Sequence, residues 1–125
     1  MEFRNARHTN NLKPIIEFYT HIIGLEVLFS FNNHNGYDGV FIGKPEHDWH
    51  LEFTVSEKKA KHIFDEEDIM VFYPTEKKDY EQILEKINTG NIPILKAKNP
   101  FWDDNGIMIQ DPDGFRIIIS NMKIK

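Results

Sequence analysis

The chain reads as a mixed α+β domain built from two tandem βαβββ modules. Three observations predict this. Two amphipathic helical segments, each stopped by a glycine, repeat at a spacing of 66 residues from Gly24 to Gly90. A short β-prone run precedes each helix, and three β-rich runs punctuated by Gly, Asn and Asp come after each. A lone βαβββ unit leaves one sheet face uncovered, so two equivalent halves in one chain are the economical arrangement. Module 1 covers about residues 1–56, a solvated connector about 57–67 and module 2 about 68–125 of a single domain.

Each element has its own signal. "EFRNARH" is the first strand candidate. From Leu12, apolar residues recur at Ile15, Ile16, Tyr19, Ile22 and Ile23, the pattern of one helical face. Asn10 or Asn11 can cap the start, Pro14 falls in the first turn, and Gly24 ends the helix. "LEVLFSF", "GVFIG" and "WHLEFTV" come next as strands, with "NNHNGYDG" as a turn-rich loop between the first two. In the second half "DIMVFY" is a strand and about Glu76 to Thr89 a helix, with Thr75 as cap and Gly90 as stop. "IPILKA", "NGIMIQ" and "FRIIIS" complete the module, and "DPDG" turns the last hairpin.

Composition narrows the function. With 125 residues, 40% hydrophobic and ten Phe, the chain has material for one core. No apolar run approaches the ~20 residues that span a bilayer, and "MEFRNARHTNN" lacks a secretory apolar region, so a cytoplasmic protein is expected. A net charge of −5 opposes nucleic-acid binding, and "KKAKH" is followed, after Ile63, by "FDEED". The absence of cysteine excludes disulfides, thiolate zinc sites and a cysteine nucleophile. Ser30, Ser56 and Ser120 lie in no nucleophile-elbow context, and no glycine-rich phosphate loop is present.

"NNLKPIIEFYTHIIGLEVL", "HLEFT" and "DPDGFRIII", in this order around a two-fold repeat, resemble the glyoxalase, bleomycin-resistance and extradiol-dioxygenase superfamily, the vicinal oxygen chelate proteins. The resemblance covers nearly the whole chain. It implies a curved, barrel-like mixed sheet around a cleft, and a homodimer. Metal-dependent members hold a divalent ion with side chains from the first, fourth, fifth and eighth strands, positions that fall here on Arg4, Glu52, Met70 or its neighbour Ile69, and Ile118. Only Glu52 is a ligand type, since arginine stays protonated and the others offer no hard oxygen or imidazole nitrogen. The expectation is therefore no metal at these positions and no cofactor.

Strand alternation places His50, Glu52 and Thr54 on one face of the fourth strand, with Arg4, Ala6 and His8 joining them from the first, and Leu51, Phe53 and Val55 on the helix side. Two arrangements suit this polar face. In one, Arg4 approaches Glu52 and its guanidinium takes roughly the volume of the absent metal. If buried, such a pair would cost about 3–5 kcal/mol to break. In the other, His8, His50 and Glu52 form a relocated triad for one divalent Fe, Mn or Zn ion. His21, His34, His47 and His62 read as surface or connector residues. The loop "NPFWDDNG" offers Phe101 and Trp102 either as a stacking lid or as a plug, and Tyr37 could line the same mouth.

The expected cleft is charged on the first-half side, and apolar on the second from Met70, Phe72, Met108 and Ile118. Candidate ligand-binding residues are Arg4, His8, His50, Glu52, Met70, Phe72, Trp102 and Ile118. The main reading is binding of a small amphipathic or aromatic molecule, without nucleic-acid or membrane partners. The alternative is a metal-dependent lyase, isomerase or dioxygenase with Glu52 as base.

Overall fold

The structure is a computed structural model that describes residues 1–123. It contains two compact units, Met1–His62 and Ile63–Lys125. The first holds β1 (Phe3–His8), α1 (Leu12–Glu17) running into a π-helical turn (Phe18–Ile22), β2 (Glu26–His34), β3 (Tyr37–Gly43) and β4 (Trp49–Val55). These strands make one sheet in the order β1-β4-β3-β2, with β1 parallel to β4 and the other pairs antiparallel.

The helical segment starts where the sequence indicates, with the Asn11 side chain accepting from the Lys13 amide at 3.1 Å. It widens after Glu17, where Thr20 Oγ donates to the Ile16 carbonyl at 2.7 Å and competes for that acceptor. Phe18, Tyr19, Ile22 and Ile23 are all buried. The Tyr19 ring stacks on Phe53 at 5.1 Å, on the side of β4 that also buries Leu51. Gly24, at φ +88°, ends the segment in the left-handed region that glycine enters without a Cβ clash.

The "NNHNGYDG" stretch is not a loop. β2 continues to His34 and β3 begins at Tyr37, leaving Asn35 and Gly36 at φ +54° and +86° as a two-residue hairpin turn. Asn-Gly is the strongest short hairpin signal because both turn positions need positive φ. β2 is an edge strand with register shifts between Val27 and Phe29 and between Phe31 and His34, so Leu28 bulges out.

The second unit holds β5 (Ile69–Phe72), α2 (Lys77–Thr89), α3 (Pro100–Asn105), β6 (Ile107–Gln110) and β7 (Arg116–Ile119). Its three strands pair in the order β5-β7-β6, with β5 parallel to β7. β5, β7 and β6 therefore repeat the pairing pattern of β1, β4 and β3. The expected strand "IPILKA" does not form, and only Leu95 makes a bridge, to Met108. Pro93 lacks an amide hydrogen, and Asp103 takes the Ala97 amide at 2.9 Å, so no ladder can extend. The expected "NPFWDDNG" loop contains α3, begun by Asn99, which accepts from the Phe101 amide at 3.1 Å, with Pro100 in the first turn.

α2 starts at Lys77 with Glu76 rather than Thr75 in the capping position, without a side-chain cap bond. Its chain reversal uses Asn91 at φ +53°, while Gly90 stays at φ −81°. In "DPDG", Asp111 Oδ1 accepts from the Asp113 and Phe115 amides at 2.9 and 3.0 Å, which rigidifies the β6–β7 turn. The second core is Ile83, Ile87, Ala97, Met108, Ile109, Ile117, Ile118 and Ile119. No closed barrel forms among the described residues: the strands make two separate mixed sheets.

Candidate functional site

The register of the first sheet lays its open face out in three ranks. Arg4, His50, Gly43 and Glu26 stand side by side across the strands. Next come Ala6, Glu52, Phe41 and Phe29, and then His8, Thr54, Gly39 and Phe31. The bulge at Leu28 brings Phe29 onto this face beside Phe41. Opposite, Arg7 shares the helix side with Phe53, with its guanidinium 5.1 Å from that ring centroid.

At the centre of the open face is Arg4. Its Nε donates to His50 Nε2 at 2.9 Å, with that ring nitrogen as the acceptor. Its Nη1 lies 3.4 Å from Glu52 Oε1, and its Cζ is 4.4 Å from the centroid of Phe41. The expected approach of Arg4 to Glu52 is present. The pair is not deeply buried, however, because the Arg4 side chain is 47% exposed, so its cost of removal falls in the exposed range and not the buried one.

An aromatic pavement extends from this anchor. His50 lies 5.1 Å from Phe41, Phe41 lies 5.5 Å from Phe29 and 6.1 Å from Phe31, and Phe29 is 56% exposed. Phe31 lies directly over Gly39, where a Cβ would fall 2.2 Å from its ring. The sequence reading missed Phe29, Phe31 and Phe41. Phe41 was legible from the alternation of "GVFIG", but the bulge broke the parity that would have located the other two.

His8 is on the same face but has separate partners. Its Nε2 is 3.0 Å from Ser56 Oγ, and its carbonyl meets His62 Nε2 at 2.8 Å. Among the described residues no group of three His, Asp or Glu side chains converges as a metal site, so the alternative triad of His8, His50 and Glu52 is not assembled. His47 stacks on Trp49 at 5.6 Å, and Tyr37 stands exposed at the hairpin.

The second-half residues need a larger correction. Pairing sets Val71, Ile118 and Met108 on one face of the second sheet, and Met70 with Ile117, and Phe72 with Ile119, on the other. Met70 and Phe72 therefore do not share a wall with Met108 and Ile118. Ile118 is fully buried in a cluster with Ala97 and Met108, against which Ile69, Val71, Leu95 and Trp102 pack. Trp102 acts as the plug, while Phe101 meets it edge-on at 5.0 Å and remains exposed. A separate groove of about 440 Å³ is lined by Leu84, Ile87, Asn88, Asn91, Ile92, Ile94 and Ile107, none of which the sequence had singled out for binding.

Comparison with known proteins supports this fold. Residues 3–54 match the YycE-like N-terminal domain and residues 67–121 the YycE-like C-terminal domain. The chain belongs to the YycE-like family. YycE of Bacillus subtilis strain 168 is 37% identical over 123 residues, which is 98% of this chain and 88% of that protein. A crystal structure of a Bacillus subtilis YycE protein superposes with a TM-score of 0.87 at 36% identity, covering 99% of this chain and 91% of the other. Glyoxalase I of Leishmania major shares the YycE-like fold, with a TM-score of 0.72 at 20% identity over 94% of this chain and 84% of its own.

The fold family's divalent ion can be tested on the donors present in this YycE-like chain. At the positions that the family resemblance assigns to the ion, Arg4, Glu52, Met70 or Ile69, and Ile118, stand a guanidinium bonded to an imidazole and a carboxylate, an apolar side chain on the fifth strand, and an isoleucine sealed in a core. A fixed cation repels a metal, and a buried hydrocarbon cannot coordinate one. These residues do not fit the ion.

Proposed function

We propose that this protein binds a small amphipathic or aromatic molecule on the Arg4–His50–Glu52 face of its first unit. The observation that carries the reading is the Arg4 guanidinium held over Phe41 at 4.4 Å, continuous with the exposed Phe29 ring. A fixed cation beside a row of rings offers one polar contact and an extended apolar surface, which is what an amphipathic ligand needs. The Bacillus subtilis relative of known structure is described as a glyoxalase or fosfomycin-resistance candidate, which is consistent with a small-molecule role. The homodimer implied by the family resemblance is a separate proposal, checked by light scattering against the 14.8 kDa chain.

Titration calorimetry with a panel of small aromatic and amphipathic compounds tests the reading. Binding of a panel member by the wild-type protein, weakened about tenfold or more in Phe41→Ala and in Arg4→Met, supports it. Equal affinity in wild type and both variants places the ligand elsewhere.

A further inference from the structure

We infer that the preferred ligand is an aryl carboxylate carrying a hydrogen-bond donor beside the acid group, such as an ortho-hydroxy or ortho-amino benzoate. The inference rests on the proposed binding face and specifies its chemistry.

Arg4 keeps unused donors. Of the guanidinium's five N–H groups, Nε–H is given to His50 and one on Nη1 faces Glu52. The Arg4 side chain has no other hydrogen-bond partner among the described residues, and it is half exposed, so the remaining N–H groups of Nη1 and Nη2 are available. They form the fork that a planar carboxylate accepts in two parallel bonds. Because His50 holds Nε and Glu52 meets Nη1, the guanidinium is oriented before a ligand arrives.

Beyond the fork, the surface favours a ring. The guanidinium lies over Phe41, and Phe29 is the next ring, 5.5 Å away and more than half exposed to solvent. A carboxylate bound at the fork and conjugated to a ring can continue over this pavement as a stacked plane. An alkyl acid would leave the Phe29 surface without a stacking partner.

Glu52 adds the demand for a donor. Its carboxylate is only 15% exposed and has one long contact, 3.4 Å, to Arg4. A second anion at the same guanidinium is repelled by Glu52 unless it presents a donor. An amine ortho to the ligand's carboxylate keeps a second N–H for the spare Glu52 lone pairs, and an ortho hydroxyl reaches them by exchanging its internal bond, so either turns repulsion into a charge-assisted bond. Arg4 thus selects the acid, Phe41 and Phe29 the ring, and Glu52 the neighbouring donor.

The experiment compares 2-hydroxybenzoate, benzoate and the neutral aromatic benzyl alcohol by calorimetry, on wild type, Glu52→Gln and Arg4→Met. Each variant is first checked for an unchanged melting curve, and Glu52→Ala serves if Glu52→Gln fails to fold. The expected result is 2-hydroxybenzoate binding about tenfold or more above benzoate in wild type. In Glu52→Gln that ratio shrinks because benzoate improves, and Arg4→Met loses both acids. Equal binding of the two acids, or an unchanged ratio in Glu52→Gln, overturns the inference. Binding of benzyl alcohol alone, or of none of the three, overturns the inference, while the proposed aromatic site stands or falls by the wider panel.

Discussion

Gly39 is the residue on which the aromatic face depends. Its missing side chain lets the Phe31 ring lie against the backbone of β3 and meet Phe41, and any Cβ there would fall inside that ring. Gly39→Ala is expected to destabilise the protein by about 1–3 kcal/mol through overpacking. Combining it with Phe31→Ala removes the collision, so urea denaturation of the double mutant should show less than the sum of the single effects. Strict additivity would mean that the ring is not seated on Gly39. Arg4 behaves differently. Its ion pair is half exposed, so Arg4→Met should change stability by only about 0–1 kcal/mol. The same substitution removes the one fixed cation of the proposed site, and thermal melts beside binding curves separate the two effects. The meeting of Arg4 with Glu52 was legible because period-2 alternation and the pairing of the first and fourth strands bring them together. For its third member, the Phe41 ring beneath the guanidinium, alternation in "GVFIG" gave the face, but the position beside Glu52 depended on the register between β3 and β4, which no single strand encodes.

At the scale of elements, the two sheets share a pairing pattern and differ in what covers them. The face of β4 with Glu52 is polar and part-exposed in the first unit. The corresponding face of β7, with Ile118, is sealed by Trp102 from α3 and by the Ala97–Met108 cluster. Ile118→Ala is therefore expected to cost about 2–5 kcal/mol as a core truncation, read as a lowered urea midpoint, without altering ligand affinity. A change in affinity at unchanged stability would return Ile118 to a binding surface. The sequence showed the repeat because both halves keep the helix-stopping signals and the parallel closing pair. It did not show α3, since six residues are too short for a helical period. The cue that remained, Asn99 followed by Pro100, also fits a turn. The split between Met70 and Ile118 was hidden for a related reason: a continuously apolar strand such as "IMVF" has no polar residues to mark which side is which.

For the whole molecule, the donor chemistry predicts indifference to chelation. Untagged protein treated with a chelator and then given manganese, zinc or iron should melt at the same temperature in every case. A concentration-dependent rise with one metal would point to a site that these residues do not form. No helix among the described residues is long and apolar enough to cross a membrane. The strand at the rim of the first sheet affects behaviour at high concentration. β2 leaves a row of backbone donors and acceptors open and carries the exposed side chains Val27, Leu28 and Phe29, which is a template for fibril-like stacking of one chain on the next. The extra residue at Leu28 twists that row out of line and the Asn-Gly hairpin ends it, so both irregularities act as guards against self-assembly. Deleting Leu28 would straighten the rim, and such a variant should be less soluble than its parent even where its fold survives.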